Sequence, residues 1–204
     1  MDLAVDPLQH RVKSHLLESA DVKHKMLESS VESILLAAKL IAETFQSGGK
    51  VLLCGNGGSA ADCQHMAAEF VNRLRADFER PGLPAIALTT DTSFLTAFAN
   101  DYDFDRVFER QVQTLGKPGD ILIGISTSGN STNVIRAVEV AGTLNMHTIV
   151  LTGNGGRLAE MANVSISVPS ANTQYIQEAH LALEHILCDL VERHLFDEEG
   201  EWRL

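Results

Sequence analysis

Apolar and polar positions change their period several times along this chain, and each change marks an element. Up to residue 47 the apolar residues return every three or four positions. Val31, Ile34, Leu35, Ala38, Leu40 and Ile41 keep that spacing, which predicts helices over 8–28 and 30–47, closed by Gly48-Gly49. After that the apolar residues gather in short runs of strand length. These are Val51 to Cys54, Leu83 to Leu88, Ile121 to Ile125, Thr148 to Thr152 and Val164 to Val168. Helical spacing returns between them, from Ser59 past Glu69, over 92–100, 104–115 and 132–143, and finally over 173–195. Pro81-Gly82 and Lys117-Pro118-Gly119-Asp120 punctuate the runs as turns. The acidic tail 197–201 is expected to fray.

Strands alternating with helices predict an α/β fold, a five-stranded parallel sheet with helices on both faces. In such sheets ligands sit beyond the strand C-termini, where the strand order reverses. The loops after the first and third strands, 55–59 and 126–131, are the two with ligand-binding composition. A reversal beside the first strand would set them side by side.

The first loop, Gly55-Asn56-Gly57-Gly58, turns where the backbone needs freedom, and Ser59 is placed to cap the next helix with Asp62 in its first turn. Strand, glycine loop and helix N-terminus together present free N–H groups to an anion. The helix then carries His65 and Glu69 one turn apart on one face. The second loop holds Ser126, Thr127, Ser128 and Ser131 around Gly129, hydroxyls and amides suited to surround a phosphate. It lacks the Gly-Lys-Ser/Thr of a nucleotide-binding loop, and the first loop lacks the full dinucleotide spacing. The last helix adds Gln177, Glu178, His180, Glu184 and His185. Both histidines lie at helical spacing from Gln177, and spacing does not choose between them.

Composition narrows the classes. The 27 acidic against 16 basic residues give a formal charge of −11, which argues against nucleic-acid or anionic-membrane partners. Cys54, Cys63 and Cys188 fit no metal or redox spacing and read as reduced thiols of a cytosolic protein. The N-terminus lacks a signal-peptide core, and no run of about 18 apolar residues occurs, so a cytoplasmic protein is expected. A length of 204 residues suits one domain, with 1–48 as helices packing on it and on neighbouring subunits.

The segments CGNGGSAADCQHMAAE, LPAIALTTD, AND, GDILIGISTSGNS, VLTGNGG and IQEAHLALEH, in that order, resemble the phosphoheptose isomerase family of sugar-isomerase (SIS) domains. The resemblance runs over nearly the whole chain. It implies a flavodoxin-like, doubly wound subunit in a homotetramer that interconverts sedoheptulose 7-phosphate and D-glycero-D-manno-heptose 7-phosphate, the entry to bacterial heptose synthesis. It implies substrate contacts at Asn56, Gly57, Gly58, Asn100, Asp101 and Gln177, and a phosphate loop at Ser126, Thr127, Ser128 and Ser131. It implies one zinc ion per subunit on His65, Glu69, Gln177 and His185, with Glu69, also a substrate contact, and His185 as the acid/base pair. The resemblance thus selects His185 over His180. Tyr175 departs from it, standing where the family commonly has Arg. Relatives of similar fold include non-catalytic partners of the replication initiator, incomplete at the glutamate and the second histidine. Both are present here, which favours the enzyme over that alternative; isomerisation or sensing of another sugar phosphate stays open, because loops choose the sugar.

Overall fold

In the computed structural model, which describes residues 6–196, two long helices lead into a five-stranded sheet. α1 (Pro7–Ser29) begins at Asp6, whose carboxylate accepts the Leu8 N–H at 3.0 Å, with proline in the first turn. The chain breaks at Ser30, which is buried and donates its hydroxyl to the Ser167 carbonyl. α2 (Val31–Gln46) follows, then β1 (Val51–Gly55), α3 (Gly58–Val71), β2 (Ala85–Ala87) and α4 (Thr92–Asp101). A single 3₁₀ turn, Phe104–Arg106, leads into α5 (Val107–Leu115). The remainder is β3 (Ile121–Ser126), α6 (Thr132–Thr143), β4 (His147–Thr152), α7 (Arg157–Met161), β5 (Val164–Ser167) and α8 (Thr173–Phe196). Among the described residues no helix is long and apolar enough to cross a membrane.

All strand pairs are parallel, in the order β2-β1-β3-β4-β5. β1 and β3 are buried at every residue, as strands covered on both faces must be. Side chains alternate between two cores. Val51 and Leu53 join Ile41, Met66, Phe70, Leu183 and Leu187 under α2, α3 and α8. Leu52 and Cys54 join Val107, Phe108, Val134, Val138 and Leu158 under α5, α6 and α7. Each such large side chain, fully buried, contributes about 1.5–3 kcal/mol.

The order reverses between β1 and β3, so their C-terminal loops emerge as neighbours. Register pairs Gly55 with Ile125 at the edge of the loops. Three local expectations change. The second strand is shorter than 83–88, although Val51 N–H to Pro84 O and Leu88 N–H to Leu53 O extend its pairing. Ser59 does not cap α3; Gly57, at φ +56°, is the cap, and Ser59 is buried within the first turn. α7 is a helix absent from the apolar pattern, five residues long and too short to show a period. The tail 197–201 lies outside the described residues.

Candidate active site

The two ligand-suited loops are tied together by an asparagine pair. Asn56 Nδ2 donates to Asn133 Oδ1 at 2.8 Å, and Asn133 Nδ2 donates back to Asn56 Oδ1 at 2.9 Å. Asn133 is buried in the first turn of α6 and was not among the predicted site residues. Its signal was an amide at the start of the helix that follows the serine loop.

Within that loop the hydroxyls meet. Ser126 Oγ lies 2.9 Å from Ser131 Oγ and 3.3 Å from Ser128 Oγ. Gly129 turns the backbone at φ +64°, closing a turn from its N–H to Ser126 O at 3.0 Å. A Cβ there would collide with the Gly155 carbonyl, so the loop between β4 and α7 holds the serine loop from behind. Gly153 N–H to Thr127 O and Leu158 N–H to Gly129 O complete that support. Ser131 is the N-cap residue of α6, so the cluster faces the positive end of a helix.

On the other side, α3 and α8 bring together side chains 120 residues apart. His65 Nε2 stands 2.9 Å from His185 Nε2, with the rings edge to face, and 3.7 Å from Glu69 Oε1. The glutamate and the second histidine therefore both approach the same nitrogen of His65. The Gln177 amide lies over Gly58: a Cβ at that glycine would overlap it. Gly57 and Gly58 are exposed at the mouth of the first loop. Asn100 and Asp101 are bonded to each other at 3.0 Å on the exposed end of α4, and among the described residues no hydrogen bond joins them to the other site residues.

The two histidines left open by spacing are in different environments. His180 is fully buried and lies 3.1 Å from the Thr152 carbonyl, to which its Nε2–H donates. Burial holds its pKa down to about 4, partly offset by that bond. His185 is exposed beside His65. Behind the histidines, Glu184 is buried with neither carboxyl oxygen hydrogen-bonded, and burial, then the Asp62 charge, pushes its pKa up to about 9. Asp62, placed in the sequence as a helix-start acid, is half-buried and pushed up to about 6 by burial, with His65 opposing.

His65, Glu69, Gln177 and His185 supply two imidazoles, a carboxylate and an amide oxygen, donor types that suit zinc. Among the described residues, no three His, Cys, Asp or Glu side chains converge as a ready-made cation cage. The two imidazoles do meet nitrogen to nitrogen, the start of such a set.

The SIS domain model matches residues 15–153. The phosphoheptose isomerase of Roseiflexus sp. (strain RS-1) is 52% identical over 199 residues, 97% of this chain and 100% of the relative. The chain belongs to the phosphoheptose isomerase family. Solved phosphoheptose isomerases agree in shape. The one from Neisseria gonorrhoeae matches with a TM-score of 0.85 at 49% identity, covering 91% of this chain and 98% of that one. The one from Francisella tularensis matches at 0.87 with 40% identity, covering 92% and 100%. Against each of these phosphoheptose isomerases more than nine-tenths of the chain is matched.

Proposed function

We propose that the protein interconverts sedoheptulose 7-phosphate and D-glycero-D-manno-heptose 7-phosphate, opening heptose synthesis. The observation that carries this is the nearly end-to-end identity of about half with phosphoheptose isomerases. The geometry supports it. The Ser126–Ser131 hydroxyls and the N-terminus of α6 receive the phosphate. The Asn56–Gly58 loop lies beside it, and α3 and α8 hold the proton-handling groups at the sugar's other end.

Aldose–ketose isomerisation moves a hydrogen between C1 and C2 and exchanges protons at their oxygens. Glu69 takes the proton from C1 of the ketose as electrons form the C1–C2 double bond and the C2 carbonyl oxygen gains a proton. It then returns a proton to C2 as the C1 hydroxyl loses its own and becomes the aldehyde. His185 serves the oxygens, and Gln177 orients the sugar. His65, Glu69, Gln177 and His185 would hold zinc or another divalent metal, which when bound polarises the sugar oxygens. A Glu69 bound tightly to metal has less freedom as a base, so the proton role needs a loose or shared carboxylate.

We place the enzyme in the cytoplasm, in keeping with three buried free thiols, and as a homotetramer, in keeping with its apolar helix faces. Turnover of sedoheptulose 7-phosphate by the purified protein, with and without added zinc, tests the reading. Absence of turnover in both conditions overturns it in favour of a binding role.

A further inference from the structure

Arg80 is a buried arginine with no place in the chemistry above, yet it touches the glutamate that has the central one. Its side chain is 1% exposed. Nη2 donates to the carbonyl of Glu69 at 2.8 Å, and Nη1 donates to the carbonyls of Phe70 at 2.8 Å and Pro81 at 3.0 Å. Nε donates to Glu192 Oε1 at 2.7 Å. That same oxygen accepts the Leu74 N–H at 3.0 Å, just past the end of α3.

The carbonyls of the last turn of a helix have no partners within the helix, and a cation is favourable there. Here one guanidinium satisfies two of them and is itself anchored by a carboxylate on α8. A planar fork of five donors bonds three carbonyls and a carboxylate at once; a lysine, with three donors on one nitrogen, cannot serve all four. Glu192 lies two turns beyond His185 on α8, near the same face. α3 and α8 are therefore joined twice: by the His65–His185 approach at the site, and by Arg80–Glu192 beneath it. An apolar pair of similar volume would remove both charges together, but it would leave the carbonyls and the Leu74 N–H without the partners this pair supplies. The fork does something a hydrophobic pair cannot: it fixes the rotation and depth of the last turn of α3.

We propose that Arg80, braced by Glu192, is a positioning residue for Glu69: it locks the last turn of α3 to α8 and so sets where the Glu69 carboxylate stands relative to His65 and His185. This rests on the reading of Glu69 as a proton-handling group. Arg80 touches no substrate atom and acts through the backbone of Glu69.

The test is the full chain carrying Arg80→Met with Glu192→Leu, which removes both charges together and leaves neither stranded. A misplacement of about 1 Å costs up to about 100-fold in rate. The expected result is kcat lower by about tenfold or more, KM for sedoheptulose 7-phosphate within about twofold of wild type, and shifted ring ¹⁵N signals of His65 and His185. Adding Glu69→Gln to that variant should cost less than Glu69→Gln costs the wild-type chain, by about the factor the double variant has already lost, because the two changes act on one group. A folded double variant with wild-type kcat and unshifted ring signals overturns the proposal, as does a full additional loss from Glu69→Gln. Should the double variant not fold, Arg80→Lys keeps a charge beside Glu192 without the fork; it should lose about two- to tenfold in kcat, and unchanged kcat and ring signals in it overturn the proposal equally. If Glu69→Gln alone leaves turnover intact, the acid/base reading has failed, and the ring signals still decide whether Arg80 sets the geometry.

Discussion

Glu69 sits where one atom group has two neighbours of different kind, an imidazole at 3.7 Å and, through its own carbonyl, a buried guanidinium. Glu69→Gln keeps the shape and removes the proposed base, and loss of a general base costs about 10²–10⁴ in rate. We expect kcat to fall by that factor, sugar-phosphate binding to persist and the melting temperature to stay close to wild type. A drop in melting temperature with kcat retained would make Glu69 a packing residue instead. The two histidines of α8 make a paired comparison. His185→Ala should abolish most turnover, whereas His180→Ala, far milder in rate, should appear in stability, since His180 is core and bonded to Thr152 O. The pH dependence of that stability has a defined sign. The folded pKa of His180 is depressed to about 4 from 6.5. Between those values the unfolded chain binds the extra proton, so stability rises with pH across this window, by up to about 3 kcal/mol. Denaturation measured from pH 4 to 6.5 should therefore show a shallower pH slope in His180→Leu than in wild type. Equal slopes would mean the ring is protonated in the folded core.

The serine loop and its neighbours act as elements rather than as single side chains. Ser131 is the N-cap residue of α6 but makes no side-chain capping bond, so its hydroxyl is free for the Ser126 cluster and its loss does not uncap the helix. Ser128→Ala with Ser131→Ala should thus raise KM about tenfold or more while the fold persists, two charge-assisted bonds to a phosphate being worth more than about 1 kcal/mol each. Unchanged KM would remove the loop from the site. At this scale much was legible from sequence. The five apolar runs gave the strands, and two loops of unusual composition gave the reversal point. Short elements were not: α7 has too few residues for a period, and Ser59 looks like a cap because the glycine before it has no side chain to advertise its role. Pairings across the fold were also hidden. Asn133 and Arg80 reach partners 77 and 112 residues away, and nothing local marks an amide or a guanidinium as buried. Spacing does not choose between His180 and His185, because both lie at helical spacing from Gln177; the difference in depth, one ring buried and the other exposed, is visible only in the fold.

Among the described residues, large apolar side chains stay exposed on the three helices α1, α2 and α8. Along α1, Leu8, Val12 and Leu16 are exposed at four-residue spacing, one continuous stripe, and Leu17 and Leu27 are exposed as well. Leu27 on α1, Val31 on α2 and Ile186 on α8 are exposed at a groove of about 320 Å³ between the three helices, lined also by Met26, Ile34, Leu35 and Leu183. Exposed single leucines are ordinary; a patch contiguous over three helices marks an interaction site. With a formal charge of −11 per chain, like copies repel at long range, so the proposed assembly would rest on apolar contact. α8 contributes to both the patch and the site, since Ile186 follows His185 directly. Assembly and activity should therefore fall together. Sedimentation at micromolar concentration should give a mass of four chains. Val12→Glu with Leu16→Glu, which puts two carboxylates on the stripe without touching the core, should shift the mass to smaller species and lower kcat several-fold. A wild-type chain sedimenting as a monomer with full turnover would show that the patch serves some other contact and that one subunit suffices for catalysis.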